Sequence, residues 1–225
     1  MNKFKFVSKE KFSRLPKTSG VYALKSKREF LYIGKAVDIR ERVKNHFQQS
    51  SFREKVFLDK TKKIGFIKTS SEIEALILEA KLIKKYQPKY NTMWRDDKNY
   101  FFVGKTKEDF PQIFITHQTK PKVKGQKIKI ECVGPFVDGQ ALKQTLKILR
   151  KIFPYRSCKN LPKKPCLWYQ LDRCPAPCLL KSSLGAQIPS AKKIFKRELK
   201  SSIDNIFKIL KGEKNRLPDS AFSDR

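Results

Sequence analysis

Two short runs of β-forming residues near the N terminus constrain the fold more than any other feature of the chain. The first is GVYAL at 20–24 and the second is FLYIG at 30–34, with the charged stretch KSKRE between them. Paired apolar and aromatic runs joined by a short polar segment predict a β-hairpin. The hairpin would bring Tyr22 and Tyr32 onto neighbouring strands.

The residues that follow predict helices beside this hairpin. Asp38 is a suitable N-cap for a helix in which Ile39, Val43 and Phe47 repeat every four residues. A second, short helix is expected at 52–62. The first of these helices therefore carries an apolar stripe.

A third strand and a long helix complete the first region. Residues 64–68 alternate weakly between polar and apolar, which indicates the strand. Ser71 and Glu74 then form an S-x-x-E capping box, and Pro88 ends the helix that the box opens. The chain is therefore expected to be an α+β protein with a small, mainly antiparallel three-stranded sheet flanked by helices.

The remainder predicts a smaller, mixed, Cys-rich domain followed by a C-terminal helix. Strand-like runs and a further helix are expected at 100–103, 112–117, 128–133 and 139–152. An amphipathic helix, with apolar residues from Ile194 to Leu210, closes the ordered chain. The predicted boundaries are 1–98 for the first domain, 99–180 for the Cys-rich domain, 181–211 for the helix and 212–225 for a disordered tail.

The charge balance indicates a polyanionic partner. The chain has 52 Lys and Arg against 21 Asp and Glu, a net charge of +31, and its 39% of hydrophobic residues suffice for a folded core. Nucleic acid is the first candidate, and an excess of solvated surface lysines is the alternative. Because the N terminus lacks a signal-peptide pattern and no run of about 18 apolar residues occurs, we expect a cytoplasmic protein with no membrane partner.

Glu79 is the residue that most strongly indicates a functional site. On a helix, its neighbours three and four positions away are all apolar. They are Ala75, Leu76, Leu82 and Ile83. A carboxylate in such surroundings is expected to be buried, and it needs a partner there. Two partners are open: a divalent cation such as Mg²⁺ or Mn²⁺, or an internal salt bridge to Arg42 or a lysine.

Arg42 and His46 are four residues apart and therefore share one face of the first helix. They border its apolar stripe, which places a fixed cation and a titratable ring beside the hairpin tyrosines. The alternative for His46 is a partly exposed ring at the edge of the helix.

Four cysteines fall within 21 residues and are interleaved with prolines. They are Cys158, Cys166, Cys174 and Cys178. Stable disulfides are not expected in a reducing compartment, whereas four thiolates on proline-stiffened loops suit a tetrahedral Zn²⁺ or an iron-sulfur cluster. Isolated buried thiols are the alternative. Cys132 lies outside the group and is expected to be a core residue of a strand.

The same residues carry a family resemblance. GVY at 20–22 and YIGK at 32–35 resemble the GIY-YIG nuclease superfamily, and three further blocks, DIRERVKNHF at 38–47, EALILEAKLIKKYQPKYN at 74–91 and RDDKNY at 95–100, extend the match. This longer pattern is similar to the N-terminal half of UvrC, the bacterial nucleotide excision repair endonuclease. The resemblance covers nearly the whole chain and implies metal-dependent nicking of DNA on the 3′ side of a lesion.

The resemblance implies a role for each matching position. Glu79 would ligate the one metal ion, and Tyr32 or Tyr22 would orient or deprotonate the attacking water. Arg42 and Lys35 would stabilise charge developing on the phosphorus. Asn91 would brace the site through hydrogen bonds, and Gly34 would allow a tight turn of the backbone.

His46 departs from the UvrC pattern, which usually has Tyr at this position, whereas many other GIY-YIG nucleases have His. The substitution keeps a proton acceptor. Because the reference pKa of His is about 6.5, His46 is expected to tie the rate to pH near neutrality.

The resemblance also implies a cofactor and partners. A [4Fe-4S] cluster with a structural role is favoured over Zn²⁺ at the cysteine group, and damaged double-stranded DNA is the expected substrate. UvrB is considered as a partner, although the helical hairpin that binds it in longer relatives is missing from this sequence, which resembles a short UvrC homologue or a truncated product. Two alternatives stay open: a non-catalytic DNA-binding module and a standalone nuclease of a mobile element.

Overall fold

The computed structural model describes residues 3–92, 100–119, 129–181 and 189–213. The chain divides into two compact units. The first contains Met1–Tyr100 together with Pro135–Asp138, and the second contains Phe101–Gly134 and Gly139–Arg225. Two predicted features lie almost entirely outside the described residues. They are the segment at 92–100, predicted to lead out of the first domain, and the tail predicted from 212 onward.

The first unit is built on a four-stranded antiparallel sheet. Its strands are β1 (Lys5–Ser8), β2 (Gly20–Lys25), β3 (Phe30–Ala36) and β4 (Lys63–Lys68), in the order β1-β4-β2-β3. The three strands predicted from the sequence are confirmed. Strand β1 was not predicted, because its short KFVS sequence is half exposed and carries no clear period-two pattern.

Four helices accompany this sheet: α1 (Ile39–Gln48), α2 (Phe52–Leu58), α3 (Glu72–Tyr86) and the short α4 (Lys89–Thr92). Asp38 caps α1 by accepting from the Glu41 amide, and α2 ends earlier than the predicted residue 62. Ser71 caps α3 as expected. The Glu74 carboxylate reaches back to Ser70 rather than to Ser71, so the reciprocal half of that box is shifted by one residue.

The central strand β2 buries both of its faces. Tyr22 and Leu24 belong to an apolar cluster with residues of α1 and α2, whereas Val21 and Ala23 belong to a second cluster with residues of α3. Successive side chains of a strand point to opposite faces, so a strand covered on both sides reads as an unbroken apolar run. This arrangement explains the GVYAL sequence of β2.

In its described residues, the second unit contains a three-stranded sheet, three α-helices and a short 3-10 helix at Leu179–Lys181. The strands are β5 (Phe101–Thr106), β6 (Ile113–Thr116) and β7 (Ile130–Phe136), in the order β6-β5-β7, and the helices are α5 (Gly139–Ile152), α6 (Leu167–Gln170) and α7 (Pro189–Leu210). The α+β class and the C-terminal helix are thus confirmed. Among the described residues, none of the helices combines the length and the apolar character that a membrane crossing requires.

Candidate active site

The outer edge of strand β3 is where the site is assembled. β3 is the last strand of its sheet, so alternate backbone groups on one side have no strand to pair with. Side chains supply the partners: Asn91 Oδ1 accepts from the Ile33 amide at 2.7 Å, and Asn91 Nδ2 donates to the Ile33 carbonyl at 2.8 Å. Two residues further along, the Lys35 amide donates to Glu79 Oε1 at 2.9 Å.

Glu79 occupies the buried position that its helical neighbours predict. Its side chain lies on α3 and is only 3% exposed. Burial and Tyr32 raise the pKa of Tyr22, and the negative charge of Glu79 adds to this upward shift, so the carboxylate acts on the tyrosine pair. The Lys35 amide orients one carboxylate oxygen, and this orientation is independent of the Lys35 side chain.

Tyr22 and His46 form the second part of the site. Tyr22 Oη lies 2.6 Å from His46 Nε2, and both side chains are buried. Arg42 forms a hydrogen bond with the same hydroxyl. The structure therefore brings together the two helix residues and the hairpin tyrosine, and the alternative of a partly exposed His46 is wrong.

Tyr32 is packed from two sides. Its ring stacks on Phe57 with centroids 5.3 Å apart and planes within 6°, and it lies 6.0 Å from the Tyr22 ring and 5.7 Å from His46. Tyr32 is less deeply buried than Tyr22. Of the two tyrosines, it is the one with access to a water at the surface of the site.

Gly34 makes room for both tyrosines. It lies within the extended strand β3, directly opposite Tyr22, and not in a tight turn as predicted. A Cβ at this position would lie 2.9 Å from Tyr22 Oη and 2.9 Å from Tyr32 Cε1. Glycine is required here because any side chain would displace the two rings.

Burial and neighbouring charges set the protonation of the site. The pKa of Tyr22 is raised well above its ordinary value, chiefly by burial and then by Tyr32, while Arg42 acts in the opposite direction. The pKa of His46 is lowered by burial and then by Arg42, against an upward effect of Glu54. At neutral pH, Tyr22 is therefore a hydroxyl donor and His46 a neutral acceptor. Protonation of His46 needs a more acidic pH than the reference pKa of His predicts.

Lys35 contributes differently from the expectation. Its ammonium group lies 3.0 Å from Asp138 Oδ2, and Asp138 belongs to the segment 135–138 that is part of the first unit. This partner could not be predicted from local patterns because it lies about a hundred positions further along the chain. The ion pair is partly exposed and leaves Lys35 within the site region, where its backbone already holds Glu79.

Glu54 is a second residue that sequence reasoning missed. Glu54 Oε1 lies 3.1 Å from His46 Nδ1, on the side of the ring opposite Tyr22. Its other oxygen accepts from the Ser51 amide and hydroxyl in a capping box at the start of α2. The S-x-x-E spacing at 51–54 could have indicated the cap, but not the contact with His46.

The donor chemistry of the site fits Mg²⁺ or Mn²⁺. Among the described residues, no group of three or more His, Cys, Asp and Glu side chains could hold a metal ion. Mg²⁺, however, is commonly bound through one or two carboxylates plus water and substrate phosphate, and it prefers oxygen ligands. The buried Glu79 carboxylate, held by the Lys35 amide, is a ligand of that kind.

The cysteine group does not form a metal-binding arrangement in the described part of the second unit. Cys174 and Cys178 are buried, Cys166 is exposed, and all are free thiols. Burial raises the pKa of Cys174 and of Cys178, and so do the nearby Cys158 and Cys166. Cys158 and Cys166 thus lie close enough to act on Cys174 and Cys178, yet neither an iron-sulfur cluster nor zinc is supported. Cys132 lies in β7 as predicted but is only partly buried.

Comparison with known proteins identifies both parts of the chain. Residues 18–92 match the family model of the UvrC-like GIY-YIG domain, and residues 100–186 match that of the UvrC/Cho excinuclease middle domain. The chain belongs to the UvrC family. Its first domain is of the GIY-YIG endonuclease class, and the two matches follow one another in the order of the N-terminal half of UvrC.

Curated relatives support this assignment. UvrABC system protein C of Clostridium botulinum strain Hall is 39% identical over 210 residues, which cover 88% of this chain and 31% of that protein. The protein of the same name from Caldicellulosiruptor saccharolyticus is 40% identical over 178 residues, covering 75% of this chain and 29% of that protein. The chain therefore spans about a third of the length of the curated relatives that it matches.

A solved structure also resembles part of the chain. It is the GIY-YIG N-terminal endonuclease domain of UvrC from Thermotoga maritima bound to its catalytic divalent cation, magnesium. The match has 36% sequence identity, covers 37% of this chain and 93% of that one, and has a TM-score of 0.35.

Proposed function

We propose that this protein is a metal-dependent endonuclease that nicks damaged double-stranded DNA on the 3′ side of a lesion in nucleotide excision repair. The observation that carries the proposal is the buried Glu79 carboxylate, held by the Lys35 amide at the edge of β3 and close to Tyr22. A protein that only binds DNA has no need for a buried carboxylate near phosphate groups, because that charge opposes binding.

The proposed roles follow from the position of each side chain. Glu79 would hold the divalent cation, which, when bound, polarises the scissile phosphate and neutralises charge on the leaving oxygen. Tyr32, the less buried tyrosine, would orient the attacking water. Arg42 would stabilise negative charge on the phosphate, and Tyr22 would place the Arg42 guanidinium through their hydrogen bond.

The substrate and partners are part of the same proposal. The net charge of +31 favours contact with the DNA backbone, which predicts binding that weakens steeply with salt. UvrB is the proposed loader, and the cytoplasm is the proposed location because the chromosome lies there. The match to the middle domain favours this repair role over a standalone mobile-element nuclease.

Metal removal on two DNA substrates tests the proposal. Supercoiled plasmid and a lesion-bearing duplex are incubated with the full chain, with and without UvrB, in Mg²⁺ or in EDTA. We expect nicking of the lesion-bearing strand on the 3′ side in Mg²⁺ and none in EDTA. Equal nicking in EDTA would rule out the metal-dependent mechanism, and efficient nicking of undamaged plasmid by the protein alone would favour the standalone nuclease.

We further propose that the four clustered cysteines bind a [4Fe-4S] cluster, with Zn²⁺ as the alternative. The support is the grouping of four thiols within 21 residues, two of them, Cys158 and Cys166, near enough to act on Cys174 and Cys178. Protein purified anaerobically is expected to contain about four iron and four acid-labile sulfide per chain. One equivalent of zinc without sulfide would establish the alternative, and absence of both would leave four structural thiols.

A further inference from the structure

The His46 ring is held from both of its nitrogens. Nε2 lies 2.6 Å from Tyr22 Oη, and Nδ1 lies 3.1 Å from Glu54 Oε1. Glu54 itself is fixed, because its second oxygen accepts from the Ser51 amide at 2.9 Å and from the Ser51 hydroxyl at 3.0 Å. A capping box at the start of α2 thus orients the carboxylate that faces His46.

We infer that Glu54 is a positioning residue of the proposed nuclease. It holds neutral His46 as the Nδ1–H tautomer, so that Nε2 accepts a hydrogen bond from the Tyr22 hydroxyl. This inference deepens the proposed function and rests on it for the catalytic consequence. The geometric part, the tautomer of His46, stands independently of any activity.

The direction of each hydrogen bond follows from the donors and acceptors present. A carboxylate can only accept, so Nδ1 must carry the proton that faces Glu54. In the neutral ring, Nε2 is then an acceptor, and the Tyr22 hydroxyl must donate to it. Arg42 can only donate, so it gives its hydrogen bond to a lone pair of Tyr22 Oη. The opposite tautomer would place the Nδ1 lone pair against the Glu54 carboxylate.

The charged and titratable groups around His46 agree with a neutral ring. Among the described residues, they are Tyr22 on β2, Tyr32 on β3, Arg42 on α1 and Glu54 on α2. Burial and Arg42 lower the pKa of His46, and Glu54 raises it. Because the Tyr22 hydroxyl donates its proton in the hydrogen bond to His46, the lone pairs of the Tyr22 oxygen face Arg42. They fix the position of that guanidinium group.

The composition of the chain offers a clean spectroscopic test. It has only two histidines, His46 and His117, so two imidazole spin systems are expected in a ¹⁵N NMR spectrum of the full chain. His117 lies in the second unit, beside Phe101, and serves as an internal reference. The wild-type protein is expected to show His46 with a protonated Nδ1 and a bare Nε2. A protonated Nε2 with a bare Nδ1 would overturn the inference.

Two variants separate the charge of Glu54 from its role as a hydrogen-bond acceptor, and a third is the control. Glu54→Gln keeps an acceptor oxygen and a similar size, and it is expected to lower the pKa of His46 because the upward effect of the carboxylate is lost. Glu54→Leu removes the acceptor and is expected to give a mixture of both tautomers. Asp59→Asn is the control: it removes a carboxylate at the exposed C-cap of the same helix, so the His46 ring signals should match the wild type.

Nicking rates complete the test. Loss of a side chain that orients a functional group commonly costs about 10-fold or more, so Glu54→Leu is expected to reduce kcat by about that factor while Asp59→Asn stays near the wild type. Unchanged tautomer and unchanged kcat in Glu54→Leu would overturn the inference. If the wild type itself does not nick DNA, the proposed function fails, and the NMR result alone decides whether Glu54 sets the tautomer of His46.

Discussion

Replacement of Glu79 by glutamine is expected to lower the rate of Mg²⁺-dependent nicking by at least about 100-fold. A bound divalent cation contributes several kcal/mol of charge stabilisation, and each tenfold in rate corresponds to about 1.4 kcal/mol. Glutamine keeps an oxygen that can accept from the Lys35 amide, so the fold should persist. Single-turnover nicking, with circular dichroism as the check on folding, measures the change.

Glu72→Gln is the matched control for this variant. It removes the same charge from the same helix α3, but at an exposed position in its first turn. We expect Glu72→Gln to nick at the wild-type rate, and DNA binding by both variants to be at least as tight as that of the wild type because negative charge has been removed. Equal nicking by Glu79→Gln and the wild type would remove Glu79 from the site.

The fold was largely predictable because its elements are locally encoded. The N-caps at Asp38 and Ser71 and the apolar periodicity of α1 and α3 are short-range signals, and the structure confirms them. Strand β1 gave no such signal. It exists because β4 offers it a partner more than fifty residues away, and pairing of that kind depends on the tertiary fold.

In the site, too, features encoded by local spacing could be predicted and contacts between distant elements could not. The burial of Glu79 and the closeness of Arg42 and His46 to Tyr22 follow from helical spacing, and both could be predicted. The contacts of Glu54 with His46 and of Asp138 with Lys35 could not be predicted, since the two partners of each contact lie on different elements. The helix and strand patterns specify which face of an element is buried, but they do not specify which polar side chain of another element meets that face.

The edge of β3 also explains why Asn91 belongs to the site without facing the substrate. Both functional groups of its side chain are used by the backbone of Ile33, and the residue is fully buried. The Asn91 side chain makes the two hydrogen bonds to Ile33 that a neighbouring strand would otherwise make. Glu79 accepts from the Lys35 amide two residues along, so the two side chains together fix the course of β3 on either side of Gly34.

Asn91→Ala is therefore expected to destabilise the protein by about 2 to 6 kcal/mol, because it leaves a buried N–H and a buried C=O of Ile33 without their partners, at about 1–3 kcal/mol for each. Urea unfolding measures this loss, and nicking assayed at low temperature should fall as well, since β3 no longer holds the Lys35 amide against Glu79. Asn45→Ala on α1 is the control, with an expected change within about 0.5 kcal/mol. A loss below about 1 kcal/mol in Asn91→Ala would contradict the view that this side chain completes the sheet.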